Sequence, residues 1–551
     1  MTDSKAGVIR LLRLAQAGQP EQALVRADEL LRAGQSLGVL YARAVALRCL
    51  GDHQGAVQGA EKMLAITGGR GITSSAGTMT GGTVTAGSIT AGTSAEADLA
   101  GWHSIALAFR ACQQMLISEI SPQVFDLEST LHDLAQAEAA LTNDVNDGFV
   151  LATAHTGLGH GYHDLRLYEL ALPHYEAALR AALTQSAEIA VTSQLNLAEL
   201  HLNWSVELFR IRETARARDK SATAARHAVL AQEYASIDET VSYAAIADLL
   251  AACADSSGEA ADAVVVRIRD GLQAVEHHGL RESRAFALPF LAWALERAGR
   301  LPEALEVAAQ ACDALPADAT WMLTSAAYHT RAALLARSGS DAARAALAYG
   351  DQLAKTMWRQ RLRTLHNARS VQILQRVTLE RDRVQVLAHT DALTGIGNRR
   401  AFDVRVAELD RSADTTEVAM IVVDVDRLKA VNDAGGHEAG DLTLQAVAGA
   451  LTGQVRAGDL VARLGGDEFV AVVEGTDHAQ ATALAGRMAE AVSLALGSAV
   501  TVSVGVATGP ACEAGAGLLH AADRAMYAAK RASRVRPRAI EALPTDQSRT
   551  G

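Results

Sequence analysis

At 551 residues the chain exceeds one compact core and predicts roughly three domain-sized units. Hydrophobic residues make up 49% but aromatic ones only 4%, so the core is expected to rest on Ala, Leu and Val, which suits closely packed helices. A net charge of -12 argues against a general nucleic-acid binder, and five scattered cysteines without a Cys-x-x-Cys pair argue against a disulfide frame or a zinc site.

The N-terminus, MTDSKAGVIRLLRLAQ, lacks the uninterrupted apolar run of a signal peptide. From about Gly7 to Gly350 prolines are few and apolar residues recur at helical spacing, which predicts an almost wholly helical region. Its most apolar stretch, around Phe286 to Leu295, contains Pro289 and is about half of the ~20 residues that a membrane helix needs. The expectation is a cytoplasmic protein with no membrane partner.

Within the helical region one pattern recurs. Gly18 is followed five residues later by Ala23, Gly51 by Ala56 and Gly299 by Ala304, with Pro316 closing the last unit. A further copy carries Leu158, Gly159, Tyr162, Ala171, Tyr175 and Ala178. Small residues at such places let two helices of a repeat touch, while large ones fill the groove to the next repeat. The region therefore resembles a tetratricopeptide-type α-solenoid with degenerate copies, a class whose work is binding or relay. An unspecific helical bundle with chance Gly/Ala spacing is the bland alternative. His155, His160, His163 and His174 lie close in sequence and raise the question of a metal site, but their spacing spreads them around the helices and favours surface or groove positions.

Residues Thr67 to Ser94 consist mainly of Gly, Ser, Thr and Ala with little charge or periodicity, and predict a flexible loop. From Ala354 to Thr390 follows a basic, helix-prone segment with eight Lys/Arg against two Glu/Asp. Ile373, Val377, Val384 and Leu387 are compatible with one coiled-coil seam, with Glu380 at one of its positions. A dimeric stalk is the favoured reading, a single amphipathic connector the plain one, and a membrane- or nucleic-acid-binding surface a distant third.

After Asp391 strands and helices alternate. Val418 to Asp426 is a short apolar, β-branched run ending in acids, which suits a buried strand delivering carboxylates at its C-terminal edge. A helical stretch through Leu451, two strands around Gly465-Gly466, a helix from about Asp477 to Leu494, the strand from Val500 to Gly509 and a closing helix to about Ser533 complete a βαββαβ order. That order predicts a ferredoxin-like antiparallel sheet with helices on one face.

The central signal is Gly465-Gly466-Asp467-Glu468-Phe469. Two glycines supply positive φ at a hairpin and leave no Cβ to obstruct a phosphate. The adjoining acids, with Asp424 across the sheet, suit a hard cation held through oxygen. Asp391-Ala-Leu-Thr-Gly-Ile-Gly-Asn-Arg-Arg400 stands upstream, and the stretch from Asp424 to Asp441 lies between. By these motifs, residues from Asp391 to Arg534 resemble a GGDEF domain.

The resemblance implies the α+β fold of nucleotide cyclases and a reaction that condenses two GTP into cyclic di-GMP with release of pyrophosphate. It implies Mg²⁺ or Mn²⁺ held by Asp424, the Val425 carbonyl and Asp467, with Glu468 as a second acid near the metals or the attacking hydroxyl. Asn432 and Asp441 would read guanine, while Lys429, Lys530 and Arg534 hold the triphosphate beside Gly465 and Gly466, with backbone amides near Arg427 and Leu428. Many members have aromatic residues where Arg427 and Leu428 stand, and Pro where Gly397 stands. Arg456-Ala457-Gly458-Asp459, helped by Arg487, resembles the family's product-binding inhibitory site, whereas its plain reading is a surface ion pair.

The expected organisation is a helical repeat region over 1–353, a helical linker over 354–390, the GGDEF domain over 391–536 and a disordered tail over 537–551. The expected function is a diguanylate cyclase acting as a homodimer, inhibited by cyclic di-GMP and governed by a repeat region that binds a protein partner. A non-enzymatic GGDEF module that binds GTP or cyclic di-GMP and recruits a partner is the alternative, which the intact acids disfavour. A phosphodiesterase lacks support, since no Glu-Ala-Leu hydrolase domain follows Arg534.

Overall fold

The computed structural model describes residues 5–535 apart from 17, 69–92, 121–125, 142–144, 186, 236–240, 258–259, 278–281, 317–318, 412–415, 498–499 and 514–515. It divides at Val377/Thr378 into two units. The predicted tail and most of the predicted Gly/Ser/Thr loop lie outside the described residues. Thr67 and Gly68 end a helix and Thr93 begins the next.

The first unit is built of helices. These are α1 (Lys5–Gln16), α2 (Pro20–Ala33), α3 (Leu37–Cys49), α4 (His53–Gly68), α5 (Thr93–Ile120), α6 (Leu127–Ala140), α7 (Gly148–Asp164) and α8 (Tyr168–Ala182). There follow α9 (Ala187–Arg210), α10 (Thr214–Ala235), α11 (Val241–Ala254), α12 (Ala261–His277), α13 (Glu282–Arg297), α14 (Leu301–Asp313), α15 (Trp321–Arg337) and α16 (Asp341–His389). From α1 to α15 successive helices pack on one another, and small side chains let them approach, while α16 runs on past Val377 into the second unit.

One turn recurs between them. Gly18, Gly51 and Gly299 stand in the left-handed region, and five residues beyond each lies a buried alanine, Ala23, Ala56 or Ala304. Two more copies carry arginine in place of glycine: Arg166 (φ 61) precedes Ala171, and Arg212 (φ 70) precedes Ala217. In each copy the next amide reaches back to close the helix end, as Asp52 N–H does to the Leu47 carbonyl (3.0 Å) and Leu167 N–H to the Tyr162 carbonyl (2.7 Å). A left-handed arginine costs about 1–2 kcal/mol relative to ordinary backbone. Distant partners offset that cost. Arg166 binds Glu207 through two bonds of 2.6 Å, and Arg212 reaches Asp351 at 3.0 Å.

The four clustered histidines occupy grooves among α7, α8 and α9 and form no cation cage. His155 and His174 face each other through Nδ1 at 3.0 Å, and His163 Nε2 meets the Asn203 amide at 3.1 Å. Burial pushes His155 and His160 down to about 4 and His163 to about 3.

The basic segment beginning at Ala354 is not a free linker at its start. It is the continuation of α16, and Ala354, Arg361, Leu365 and Ala368 are buried in the first unit. Their spacing of seven, four and three makes a helical stripe, which the sequence reading passed over within a segment taken as basic and helix-prone. Arg361 bonds the Arg166 carbonyl (2.5 Å) and Glu169, and its guanidinium lies over Trp358 (4.4 Å) and Tyr168 (5.0 Å). Beyond Ala368 the predicted seam residues Ile373, Val377, Val384 and Leu387 are all exposed.

The second unit contains β1 (Gly397–Asn398), α17 (Arg399–Arg411), β2 (Glu417–Val425), α18 (Leu428–Thr452), β3 (Leu460–Gly465), β4 (Glu468–Glu474), α19 (His478–Leu496), β5 (Val502–Pro510) and α20 (Ala516–Val535). The sheet order is β1-β3-β4-β2-β5. The βαββαβ run is antiparallel throughout, while the short β1 adds to β3 in parallel.

Helices cover both faces of this sheet, not one. Ile421, Val423 and Phe469 pack under α18 and α19, whereas Met420, Val422 and Val470 pack under α17 and α20. The sign of this was already in the sequence: β2 is a continuous apolar run rather than an alternating one, as a strand buried on both sides must be. Among the described residues no helix is long and apolar enough to cross a membrane.

Candidate active site

Strand β2 carries its acids to the C-terminal edge of the sheet. Asp424 stands directly opposite Glu468 in the β2–β4 register, and the Val425 amide donates to the Asp467 carbonyl at 3.0 Å. Pairing between two core strands thus fixes the Gly465-Gly466-Asp467-Glu468 hairpin beside the end of β2. Both glycines have positive φ, at 152° and 55°, and the space where each Cβ would lie is open.

Helix α20 brings a cation to the same point. Lys530 Nζ donates to Asp424 Oδ1 at 2.5 Å. The helix sits this close because β5 has Gly505 under it: a Cβ there would lie 2.1 Å from the Ala522 carbonyl oxygen. Asp424 is buried, and that burial raises its carboxyl above the ordinary aspartate range. Lys530 opposes the rise, but Asp467 and Asp426 reinforce it. The same three carboxylates hold the Lys530 ammonium above the usual lysine value, with Asp424 foremost. One lysine thus faces three acids, a surplus of negative charge that favours a further cation.

The helix that begins beside β2 carries the other expected ligands. Arg427 adopts the left-handed conformation (φ 60) at the start of α18, whose first amides have no intrahelical partner. Lys429 is exposed on its first turn. Gly436 (φ 78) kinks the helix, and the kink brings Asn432 Oδ1 against Gly440, next to Asp441. Arg534 follows one turn after Lys530 in α20, but its side chain lies outside the described residues.

With this geometry, the comparisons with known proteins can be set beside the chain. Residues 388–536 match the family model described as diguanylate cyclase, GGDEF domain. The chain carries a GGDEF domain. It is similar to the diguanylate cyclase TpbB of Pseudomonas aeruginosa, 40% identical over 157 residues, which are 27% of this chain and 36% of that protein. It is also similar to the cyclic di-GMP phosphodiesterase PdeR of Escherichia coli, 33% identical over 161 residues, 28% of this chain and 24% of that protein. Among solved structures it matches the GGDEF domain of PA1120 (YfiN or TpbB) from P. aeruginosa, with 37% identity, 25% of this chain and 92% of that chain covered, and a TM-score of 0.24. The chain thus spans 36% or less of the length of these two curated relatives.

What Asp426, Arg463 and Asp391 hold in place escaped the sequence reading. Asp426 follows Asp424 by two, and its carboxylate accepts from Thr501 and Ser503 hydroxyls, both at 2.8 Å. Arg463 grips the Gly466 carbonyl through Nε (3.0 Å) and a terminal nitrogen (2.7 Å), and also reaches Asp391 at 3.3 Å. Asp391 in turn accepts from the Thr394 hydroxyl (2.7 Å) and amide (3.0 Å). The upstream motif therefore braces the hairpin. Its Asn398 ties back to the Ala388 and Thr390 carbonyls and caps α17 through the Ala401 amide.

Arg456 and Asp459 form the turn before β3, but not as the ion pair of their plain reading. Asp459 Oδ2 accepts the Arg456 backbone amide at 2.9 Å, and the Arg456 guanidinium is exposed. Arg487 is exposed on α19. Among the described residues no group of three or more His, Cys, Asp or Glu forms a cation cage. An oxygen-only pair such as Asp424 and Asp467 fits Mg²⁺ instead, which is commonly held by one or two carboxylates together with substrate phosphates.

Proposed function

We propose that this chain is a diguanylate cyclase, joining two GTP into cyclic di-GMP with release of two pyrophosphates. The observation that carries this reading is the buried Asp424 carboxylate, bonded to Lys530 and facing the Gly465-Gly466-Asp467-Glu468 hairpin across β2 and β4. Relatives named diguanylate cyclase support it.

In each half-reaction the 3′-oxygen of one GTP bonds the α-phosphorus of the other while the bond to the β-phosphate's bridging oxygen breaks. Asn432 and Asp441 orient the guanine by its amide and ring donors and acceptors. Lys429, Lys530 and Arg534 neutralise the triphosphate, and the glycines let it lie against the hairpin. Glu468, exposed at the hairpin's end, stands near the attacking hydroxyl. Asp424, Asp467 and the Val425 carbonyl would hold Mg²⁺ or Mn²⁺, which when bound stabilises charge on the phosphoryl group. Displacing Lys530 from Asp424 frees both the carboxylate for a cation and the ammonium for phosphate.

One GGDEF domain presents one GTP, so two must face each other, and the exposed stripe from Ile373 to Leu387 is the surface suited to pairing two copies. The repeat region, read as a tetratricopeptide-like solenoid, binds the protein partner that governs the pairing. Arg456, Asp459 and Arg487 take cyclic di-GMP as an inhibitor. The test is to incubate the purified chain with GTP and Mg²⁺, resolve the nucleotides, and repeat across a dilution series. Cyclic di-GMP should form with a specific activity that falls on dilution. GTP left intact at all concentrations contradicts the assignment.

A further inference from the structure

The first unit holds a cavity of about 320 Å³ between α9, α10, α13 and α15. Its apolar walls are Phe209, Phe290 and Trp293, with the Phe209 and Trp293 rings meeting edge to face at 6.1 Å. Its charges are one-sided. Arg210, Arg218, Arg297 and Arg337 line it, against Glu296, which Arg337 already engages.

Arg210 is the unusual member. It is 8% exposed, and its Nε is buried without a hydrogen-bond partner. One terminal nitrogen donates to Ser325. The nearby acids are committed elsewhere: both oxygens of Glu207 bond Arg166, one also accepts from Tyr168 (2.7 Å), and Asp351 pairs with Arg212 (3.0 Å). A buried cation lacking its own counter-ion is costly, and a planar guanidinium fork matches a carboxylate or a phosphate, of which the aromatic walls favour the carboxylate of a ring-bearing ligand. The remaining polar groups offer little competition. Trp293 Nε1 donates to Thr330 (3.1 Å), Ser221 donates to the Ala254 carbonyl (2.8 Å), and His329 is held neutral, pushed down to about 4 chiefly by burial and then by Arg210.

We infer that this cavity is a binding site for a small aromatic carboxylate, its carboxylate on Arg210 and its ring among Phe209, Phe290 and Trp293. The exposed Arg218 at the rim draws the anion in. This site is independent of the reaction assigned to the GGDEF domain, and its test reads binding alone.

The probes are 3-phenylpropionate, its uncharged amide 3-phenylpropionamide, and inorganic phosphate, titrated calorimetrically into the full chain and checked by melting temperature. The carboxylate should bind and raise the melting temperature, the amide should not, and phosphate should bind at least about tenfold more weakly for want of a ring. Arg210→Gln should weaken 3-phenylpropionate by about tenfold or more while melting no lower than wild type without ligand, since it removes an unpaired buried charge. Arg218→Gln, at an exposed position that the fold does not need, should weaken it a few-fold. The inference is overturned if 3-phenylpropionate does not bind at any soluble concentration, if the amide or phosphate binds as well, or if folded Arg210→Gln and Arg218→Gln both bind like wild type.

Discussion

The two units treat ionisable groups in opposite ways. In the helical unit most are closed off: Arg166 on Glu207, Arg361 on Glu169, Arg110 on Asp133, and histidines held neutral in grooves. In the sheet unit Asp424, Asp426 and Asp467 face one lysine, and burial together with its two acidic neighbours raises the proton affinity of Asp424. A satisfied pair supports a fold, whereas surplus like charge opposes it and is kept where a ligand will neutralise it. The cavity around Arg210 breaks this contrast inside the helical unit, which is why it is read as a site.

Opening a closed pair should have the largest effect of any single substitution on folding. Glu207→Ala leaves Arg166 without its carboxylate and removes the Tyr168 acceptor, and is expected to cost about 3–5 kcal/mol of unfolding free energy in the helical unit, read from denaturant midpoint and slope. A change within experimental error would mean that the pair lies outside the cooperative core.

Acid should act on the same unit at several groups at once. His155 and His160 titrate near 4 and His163 and His201 near 3 in the folded unit, each lowered from 6.5 mainly by burial. Between 6.5 and those values the unfolded chain takes up protons that the folded one refuses. Stability is therefore full above that window and falls as pH drops through it, by up to about 1.4 kcal/mol per pH unit for each histidine. Urea midpoints on either side of the window check the sign, and a midpoint that rises on acidification would refute it.

The smallest effect on rate belongs to Arg456→Ala. Its exposed side chain stands apart from the Asp424 cluster, so the initial rate should stay within about twofold while progress curves lose their slowing as product accumulates. Curves of one shape for both proteins would assign Arg456 to the surface alone.

Much of this was legible along the chain because it depends on near neighbours. Gly18, Gly51 and Gly299 announce their turns, and Asp424, Asp467 and Lys530, each noted separately, converge as the βαββαβ order requires. What escaped depends on partners far away. Arg166 and Arg212 fill left-handed turns that the glycine pattern could not reveal, since Glu207 and Asp351 lie 41 and 139 residues further on. Arg361 disguised the packing stripe of α16 as a charged linker. Gly505 gave no signal of its own, because only the close approach of α20 makes its missing Cβ matter. Arg463 read as an ordinary strand residue until the hairpin put Gly466 within its reach.

The central claim is that the crowded carboxylates serve a cation rather than the fold. Measuring GTP binding, turnover and melting temperature together on Asp424→Asn tests it most directly. Asp424→Asn keeps the side chain's shape and removes a charge whose burial works against the fold, while releasing Lys530 from the partner that stabilised its ammonium. The two effects oppose, so the variant should melt within a few degrees of wild type. It should still bind GTP through its guanine contacts and form cyclic di-GMP about a thousandfold or more slowly, the loss expected when one metal ligand is removed. A variant that melts well below wild type, or that makes cyclic di-GMP at a comparable rate, would contradict the account.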